Sequence, residues 1–322
     1  MNIKKMITVF GIMAMTGMSV AVSAEETHIA QFGIITDTHV TDKNDQSNVI
    51  SVTAGPRYFT GGLSKIEAFS KAMNKCKADF VIELGDFSDN PSDGSLSAEK
   101  RRYAALSFLK DAEAKLSLFN GPRYHVFGNH DTDQLSKNQV LSVLKSTGIP
   151  SDKSWYSFDQ NGIHCIVLDA SFKSDGKSYS AGNYTWDNTS VPSEEIEWLK
   201  KDLSSTRIPT VVFTHQLLNP QNLIETGFDT QHIIKNSDEV RSLLEKSGIV
   251  VAVFSGHYHD GGYQVVNNIP YIVLQANAAY GNDVSYHNQY ATVDIYQNGN
   301  KIKIAVEGNG NQKSYVATTV IK

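Results

Sequence analysis

Cysteine is nearly absent, with only Cys76 and Cys165 in 322 residues. That excludes a scaffold built on disulfides. Both thiols are read as buried and free, Cys76 closing a helical stripe and Cys165 inside an apolar strand-like run. A single bridge between them stays open on sequence alone. Proline is scarce, 8 residues against 23 glycines, and no repeat or low-complexity tract occurs, so collagen-like and disordered classes are out. Positive charge is also short. The 29 Lys and Arg against 34 Asp and Glu leave a net charge of -5, which argues against a groove for a nucleic-acid polymer. Beyond residue 24 no apolar run reaches the ~20 residues that a spanning helix needs.

What is present begins with a leader pattern. Lys4 and Lys5 precede an apolar or small stretch from Met6 to Val20, and Val22-Ser23-Ala24 places small residues just before Glu25-Glu26. This is the secretory signal arrangement. The expectation is a signal peptide over 1–24 and a single domain over 25–322, located in the periplasm or outside the cell with no anchor left after cleavage.

Short apolar runs alternate with helical periodicity through most of the remainder. Strands are expected at Ile29–Ile35, Asp79–Leu84, Arg123–Phe127, Thr210–Phe213 and Val250–Phe254. Leu63, Ile66, Phe69, Met73 and Cys76 recur at spacings of three and four, which predicts an amphipathic helix. A longer helix is expected over Ser95–Leu118, with Tyr103, Leu106, Leu109 and Leu116 on its apolar side. Shorter helices are expected around Gln139–Lys145, Glu194–Leu203 and Glu239–Glu245. Asn161-Gly162 between Trp155–Phe158 and Ile163–Leu168 is a two-residue hairpin signal. From Tyr263 onward the pattern is strands only. Alternation followed by consecutive strands predicts an α/β fold of two packed mixed β-sheets flanked by helices. The stretch Ala170–Ser190 is long, polar and aromatic, as functional loops tend to be.

Five groups of metal-type ligands each fall just after an expected strand. They are Asp37-Thr38-His39, Gly85-Asp86, Gly128-Asn129-His130-Asp131, Thr214-His215 and Gly256-His257-Tyr258-His259. Each alone is weak, since Gly-Asp is usually a turn and lone histidines such as His125 and His164 are usually structural. Together they place half of the ten histidines at one class of position, the edge where strands of a layered α/β fold hand over to loops and ligands gather. Imidazole and carboxylate donors without thiolate suit Mn, Fe or Zn. Two such ions ~3.5–4 Å apart clamp the attacking and leaving oxygens of an in-line displacement, and a water held between them attacks as hydroxide.

In this order the five groups resemble the calcineurin-type metallophosphoesterase superfamily, from Phe32 to about Tyr296. The resemblance implies a two-sheet sandwich flanked by helices and a dinuclear centre. Asp37, His39 and His259 would hold one ion, Asn129, His215 and His257 the other, and Asp86 would bridge them. His130 would stabilise the phosphoryl oxygens or protonate the leaving group, with Asp131 orienting its ring. Purple acid phosphatases carry Tyr where this chain has Asp89 and Gly where it has His39, so a tyrosinate-bound metal is not expected. Arg57-Tyr58-Phe59 with Leu63 and Lys65, and the run from Gly256 to Tyr263, are similar to the manganese-dependent ADP-ribose and CDP-alcohol diphosphatases. That group has Gln in place of His39.

The expected activity is therefore hydrolysis of small soluble phosphodiesters or phosphoanhydrides of nucleotide type. An alkaline-phosphatase-like monoesterase is the alternative, and an inactive metal-binding module on the same fold is the alternative of another class. Arg57 is a candidate for binding a substrate phosphate. Tyr179, Tyr184 and Trp186 either wall a base or alcohol pocket or pack beneath their own loop.

Overall fold

The apolar runs that precede the ligand groups fold as strands whose parallel-paired residues are almost all buried, as parallel strands covered on both faces must be. The computed structural model describes residues 26–48, 55–185, 187–219 and 229–322. The expected leader and Trp186 lie outside these residues. One six-stranded sheet contains β1 (Thr27–Ile35), β2 (Phe80–Glu83), β3 (Arg123–His125), β10 (Tyr290–Asn298), β11 (Lys301–Asn309) and β12 (Tyr315–Val320), ordered β12-β11-β10-β1-β2-β3. The other contains β4 (Tyr156–Gln160), β5 (Ile163–Val167), β6 (Thr210–Phe213), β7 (Val250–Ser255), β8 (Gly262–Val266) and β9 (Ile269–Val273), ordered β4-β5-β6-β7-β9-β8.

Both sheets are mixed. β1-β2-β3 and β5-β6-β7-β9 run parallel, while the remaining neighbours pair antiparallel. Alternate residues of both sheets meet in one core. Phe32 stacks on Phe80 at 4.7 Å, and its edge meets Phe213 and Phe254 of the opposite sheet at 5.8 and 6.1 Å. Each such ring stabilises the contact between layers by ~1.5–3 kcal/mol. The parallel strands all point the same way, so their C-terminal ends, and the ligand groups that follow, collect along one rim.

Helices α1 (Gly62–Cys76), α2 (Ala98–Leu116) and α3 (Lys137–Val143) cover the first sheet. The second is covered by α4 (Ser193–Ser205) and α6 (Ser237–Ser247), with the single turn α5 (Asp229–His232) between them in sequence. Among the described residues no helix is long and apolar enough to cross a membrane. The Asn161-Gly162 hairpin forms with φ of 48° and 84°, the pair of positive values that a type I′ turn requires.

Two expectations fail. Tyr103 does not face the core but is 78% exposed, because the buried stripe of α2 is Ala105, Leu109, Ala112 and Leu116. The two alanines let α2 approach α1 closely, and Tyr103 projects off that stripe. Both cysteines are free, but only Cys165 is buried. Cys76, at the last position of α1, is exposed.

Candidate dinuclear metal centre

Asp37 follows β1, Asp86 follows β2, Asn129 and His130 follow β3, His215 follows β6, and His257 and His259 follow β7. The turns that carry them are strained. Asp37, His39, Asp86 and His257 hold φ of 52°, 47°, 54° and 65°, left-handed values that cost non-glycine residues ~1–3 kcal/mol each. Glycine is required where two turns touch. A β-carbon on Gly128 would lie 2.1 Å from the Asp86 nitrogen, and one on Gly85 would lie 2.5 Å from the Gly128 nitrogen. Backbone bonds lock the turns together, with Asp37 N–H donating to the Gly85 carbonyl, His39 N–H to Asp86, and Gly256 N–H to His215.

The side chains converge in two groups. Asp37, His39 and His259 form one, and Asp86, His215 and His257 the other. In the first, Asp37 Oδ1 lies 3.9 Å from His39 Nε2 and 3.3 Å from His259 Nε2, and the two nitrogens face each other at 3.3 Å. Asp37 Oδ2 is occupied otherwise, accepting from Thr36 Oγ1 at 2.6 Å and His257 N–H at 3.0 Å. Asp86 joins the groups through one atom. Its Oδ2 is 3.2 Å from His215 Nε2 and 3.8 Å from His39 Nε2, while Oδ1 accepts the His130 N–H at 2.8 Å.

Outer partners set the histidine tautomers. His215 Nδ1–H donates to the Leu84 carbonyl at 2.8 Å, which leaves Nε2 turned inward. His257 Nε2–H donates to Gln231 at 3.2 Å. His39 Nδ1 faces Asp89 Oδ2 at 3.3 Å. The remaining inward atoms fit metal ions. Among the described residues, Asp37 Oδ1, His215 Nε2 and both amide atoms of Asn129 are buried without a hydrogen-bond partner, in a donor set of oxygen and imidazole nitrogen. Burial pushes His215 down, yet the carboxylates of Asp86 and Asp37 outweigh it and hold the ring up at about 10. Burial likewise raises Asp86, but the His215 and His130 charges keep it well below the usual carboxylate range. The pocket thus demands positive charge between its carboxylates, whether carried by protons or by ions.

His130 lies between the groups and a long loop. Its ring meets His39 edge-on at 5.2 Å and Tyr184 at 5.9 Å. The carboxylate at its Nδ1 is Asp133, at 2.9 Å, and not Asp131 as expected from sequence. Asp131 turns the other way and accepts backbone N–H groups of Asp86, Phe87, Ser88 and Gly128 at 2.9–3.4 Å. The reason is local. Residues 130–132 form one turn of 3₁₀-helix, in which positions i and i+3 eclipse, so Asp133 shares a face with His130. Asp131 instead fixes the turn that carries Asp86.

Arg57 reaches the same rim. Its guanidinium is 3.8 Å from Asp89, which also holds Lys43 Nζ at 2.9 Å. Burial first, and then the Arg57 charge, push His39 down to about 4. Tyr179 packs beneath its own loop, its hydroxyl donating to the Asn188 carbonyl at 2.8 Å, whereas Tyr184 turns toward the site. Sequence reading missed Asp133, Gln216 and His232. Asp133 lies three residues after His130, a spacing that points to it only once the 3₁₀ turn is known, while His232, its ring tilted against that of His257 at 5.1 Å, had no sequence signal because α5 is remote from any motif. His125 and His164 are structural, as expected. His125 Nε2 pairs with Glu113 at 3.0 Å, and His164 is held between Asp159 and Asp202 at 2.6 and 2.8 Å.

Comparison with known proteins agrees with this geometry. The calcineurin-like phosphoesterase family profile matches residues 30–261. The chain is similar to the manganese-dependent ADP-ribose/CDP-alcohol diphosphatase of Oryza sativa subsp. japonica, with 26% identity over 288 residues, 79% of this chain and 84% of that protein. It is 24% identical over 238 residues to a probable cyclic nucleotide phosphodiesterase of Fibrobacter succinogenes, covering 74% of this chain and 75% of that one. Its fold is similar to that of a dimetal phosphatase from Danio rerio, with a TM-score of 0.71 at 19% identity, over 91% of this chain and 99% of that chain.

Proposed function

The chain belongs to the calcineurin-like phosphoesterase family and is a metal-dependent hydrolase of phosphoric esters or anhydrides, and on that premise we propose that its substrates are small nucleotide-type phosphoanhydrides and phosphodiesters, cleaved outside the cytoplasm. The observation that carries the dinuclear reading is Asp86 Oδ2, a single buried oxygen facing His215 on one side and His39 on the other. Asp37, His39 and His259 would hold one ion, and Asn129, His215 and His257 the other. Two bound divalent ions would supply Lewis-acid polarisation of the phosphoryl oxygens and activate a water as the nucleophile.

The protein supplies the rest. Arg57 binds a non-bridging phosphate oxygen, with Lys43 adding positive charge to the same rim. His130 donates to the phosphoryl group or protonates the leaving oxygen, and Asp133 holds its Nδ1–H so that Nε2 faces inward. Asp131 acts on the position of Asp86. The relatives named for ADP-ribose and CDP-alcohol diphosphatase and for cyclic nucleotide phosphodiesterase activities support an anhydride or diester substrate.

The test is a substrate panel on chelator-stripped enzyme given Mn, Zn, Fe or Co. Expected is restoration by Mn, with kcat/KM for ADP-ribose or bis-p-nitrophenyl phosphate at least ~10-fold above p-nitrophenyl phosphate, a gap of ~1.4 kcal/mol in barrier. The reverse order would make the enzyme a monoesterase. For location, the soluble protein recovered from periplasm or medium is expected to begin at or near Glu25, as the residues around Ala24 support. N-terminal sequencing that finds Met1 retained would sink that part of the proposal.

A further inference from the structure

The two rims of the site differ in chemistry. Beside His39 and Asp89 lie two cations, Arg57 and Lys43. Beside Asn129 and His257, on the side of the second group, is a small cavity lined by Tyr184, Thr185, Thr189 and Gln216, with no Lys or Arg among the described residues of its wall. Gln216 directly follows the proposed ligand His215. It is 1% exposed, and neither its Nε2 nor its Oε1 has a hydrogen-bond partner among the described residues. A native fold rarely leaves a buried carboxamide with both atoms unpaired, so this amide is poised to pair with a group from outside the described residues, one that both donates and accepts.

The amide itself selects that group. A phosphate oxygen only accepts, so it would satisfy Nε2–H and leave Oε1 facing a negative charge. An ammonium only donates and would leave Nε2–H unpaired. A hydroxyl accepts from Nε2–H and donates to Oε1 at once. The cavity has room for about one water-sized group, which is also the size of a hydroxyl. Tyr184, in its wall, bonds Asp133 and contacts His130, so the cavity adjoins the proposed proton donor.

We propose that Gln216 is a specificity-determining residue that reads a hydroxyl on the alcohol side of the scissile phosphate. The inference rests on the diester or anhydride reading above. It assigns the substrate two ends, an anionic one on Arg57 and a neutral hydroxylated one on Gln216.

The test compares CDP-glycerol with the CDP ester of propan-1-ol on the Mn-loaded enzyme and its Gln216→Met and Gln216→Glu variants. Calorimetric binding of glycerol 3-phosphate against propyl phosphate is measured in parallel. The native enzyme is expected to prefer the glycerol ester by about 10–100-fold in kcat/KM, the scale of a hydroxyl read by a buried polar pair. Gln216→Met is expected to bring the ratio near one with metal content unchanged. Gln216→Glu, which keeps the length and an acceptor, is expected to retain part of it. No preference in the native enzyme would overturn the proposal, and so would a ratio that survives in Gln216→Met. Parallel loss on both esters with loss of metal would reduce Gln216 to packing around His215. If neither ester is cleaved while p-nitrophenyl phosphate is, the diester reading fails, and the two binding isotherms still decide Gln216.

Discussion

Asp86→Ala is expected to remove metal and activity together. Asp86 Oδ2 is the atom shared by the two ligand groups, so its loss leaves His215 Nε2 without its carboxylate and separates the groups. Metal analysis of the purified variant should find fewer than two ions per chain, and turnover should fall by on the order of 10³-fold or more. That figure follows from the several kcal/mol of charge stabilisation such a centre supplies, at ~1.4 kcal/mol per factor of ten. Alanine also leaves the His130 N–H without its acceptor Oδ1, so Asp86→Asn is the companion variant. Asparagine keeps an oxygen for that N–H and the side-chain volume while losing the negative charge. It is expected to fold with a native circular dichroism spectrum and still lose the metal. A normal two-ion content in Asp86→Asn would remove Asp86 from the bridging position.

His130→Ala is expected to keep both ions and lose rate, by ~10²–10⁴-fold where the leaving group is a poor alkoxide, the usual range for general-acid help. With nitrophenolate, which needs little protonation, the loss should be much smaller. Asp133→Asn should give a reduced version of the same leaving-group dependence, since Asp133 holds Nδ1 at 2.9 Å and acts only through the ring. Asp131→Asn should behave differently. Its carboxylate accepts four backbone N–H groups around Asp86, so its loss should appear in metal content and stability rather than in leaving-group dependence. Equal losses of His130→Ala on both substrates would assign the ring to charge stabilisation instead of proton donation. A variant series in which Asp131→Asn shows the leaving-group pattern and Asp133→Asn does not would reverse the pairing.

These two aspartates show where sequence reading reaches its limit. The seven ligand-type residues were legible because each sits immediately after an apolar run, and a buried parallel strand must end in a turn at the rim. Strand polarity then brings the turns together without any need to know a side-chain angle. Asp133 was not legible as the partner of His130, because adjacency in sequence favours Asp131 and only the 3₁₀ turn at 130–132 puts the i+3 residue on the same face. Gln216 carried no signal either. A glutamine after a histidine is unremarkable until its amide is found buried beside Asn129 with no partner among the described residues.

The core divides in the same way. Period-two and period-3.6 patterns determined the two-sheet α/β class, the Asn161-Gly162 hairpin and nearly all elements from β1 to β12, because those periods report which side of an element meets apolar neighbours. Which residues complete each face was decided by the tertiary structure. In α1 the stripe suggested Leu63 and Cys76, yet Leu63 is half-buried, Cys76 is exposed, and Lys65 is fully buried alongside Ile66 and Phe69. Its ammonium donates to the Asn277 carbonyl at 2.6 Å, and the following residue, Ala278, donates its N–H to the Asp37 carbonyl. Burial in so dry a place pushes Lys65 down to about 8. No periodicity foretells a buried lysine, because what makes it tolerable is a backbone carbonyl more than 200 residues away in sequence, brought there only when the loop after β9 folds over β1.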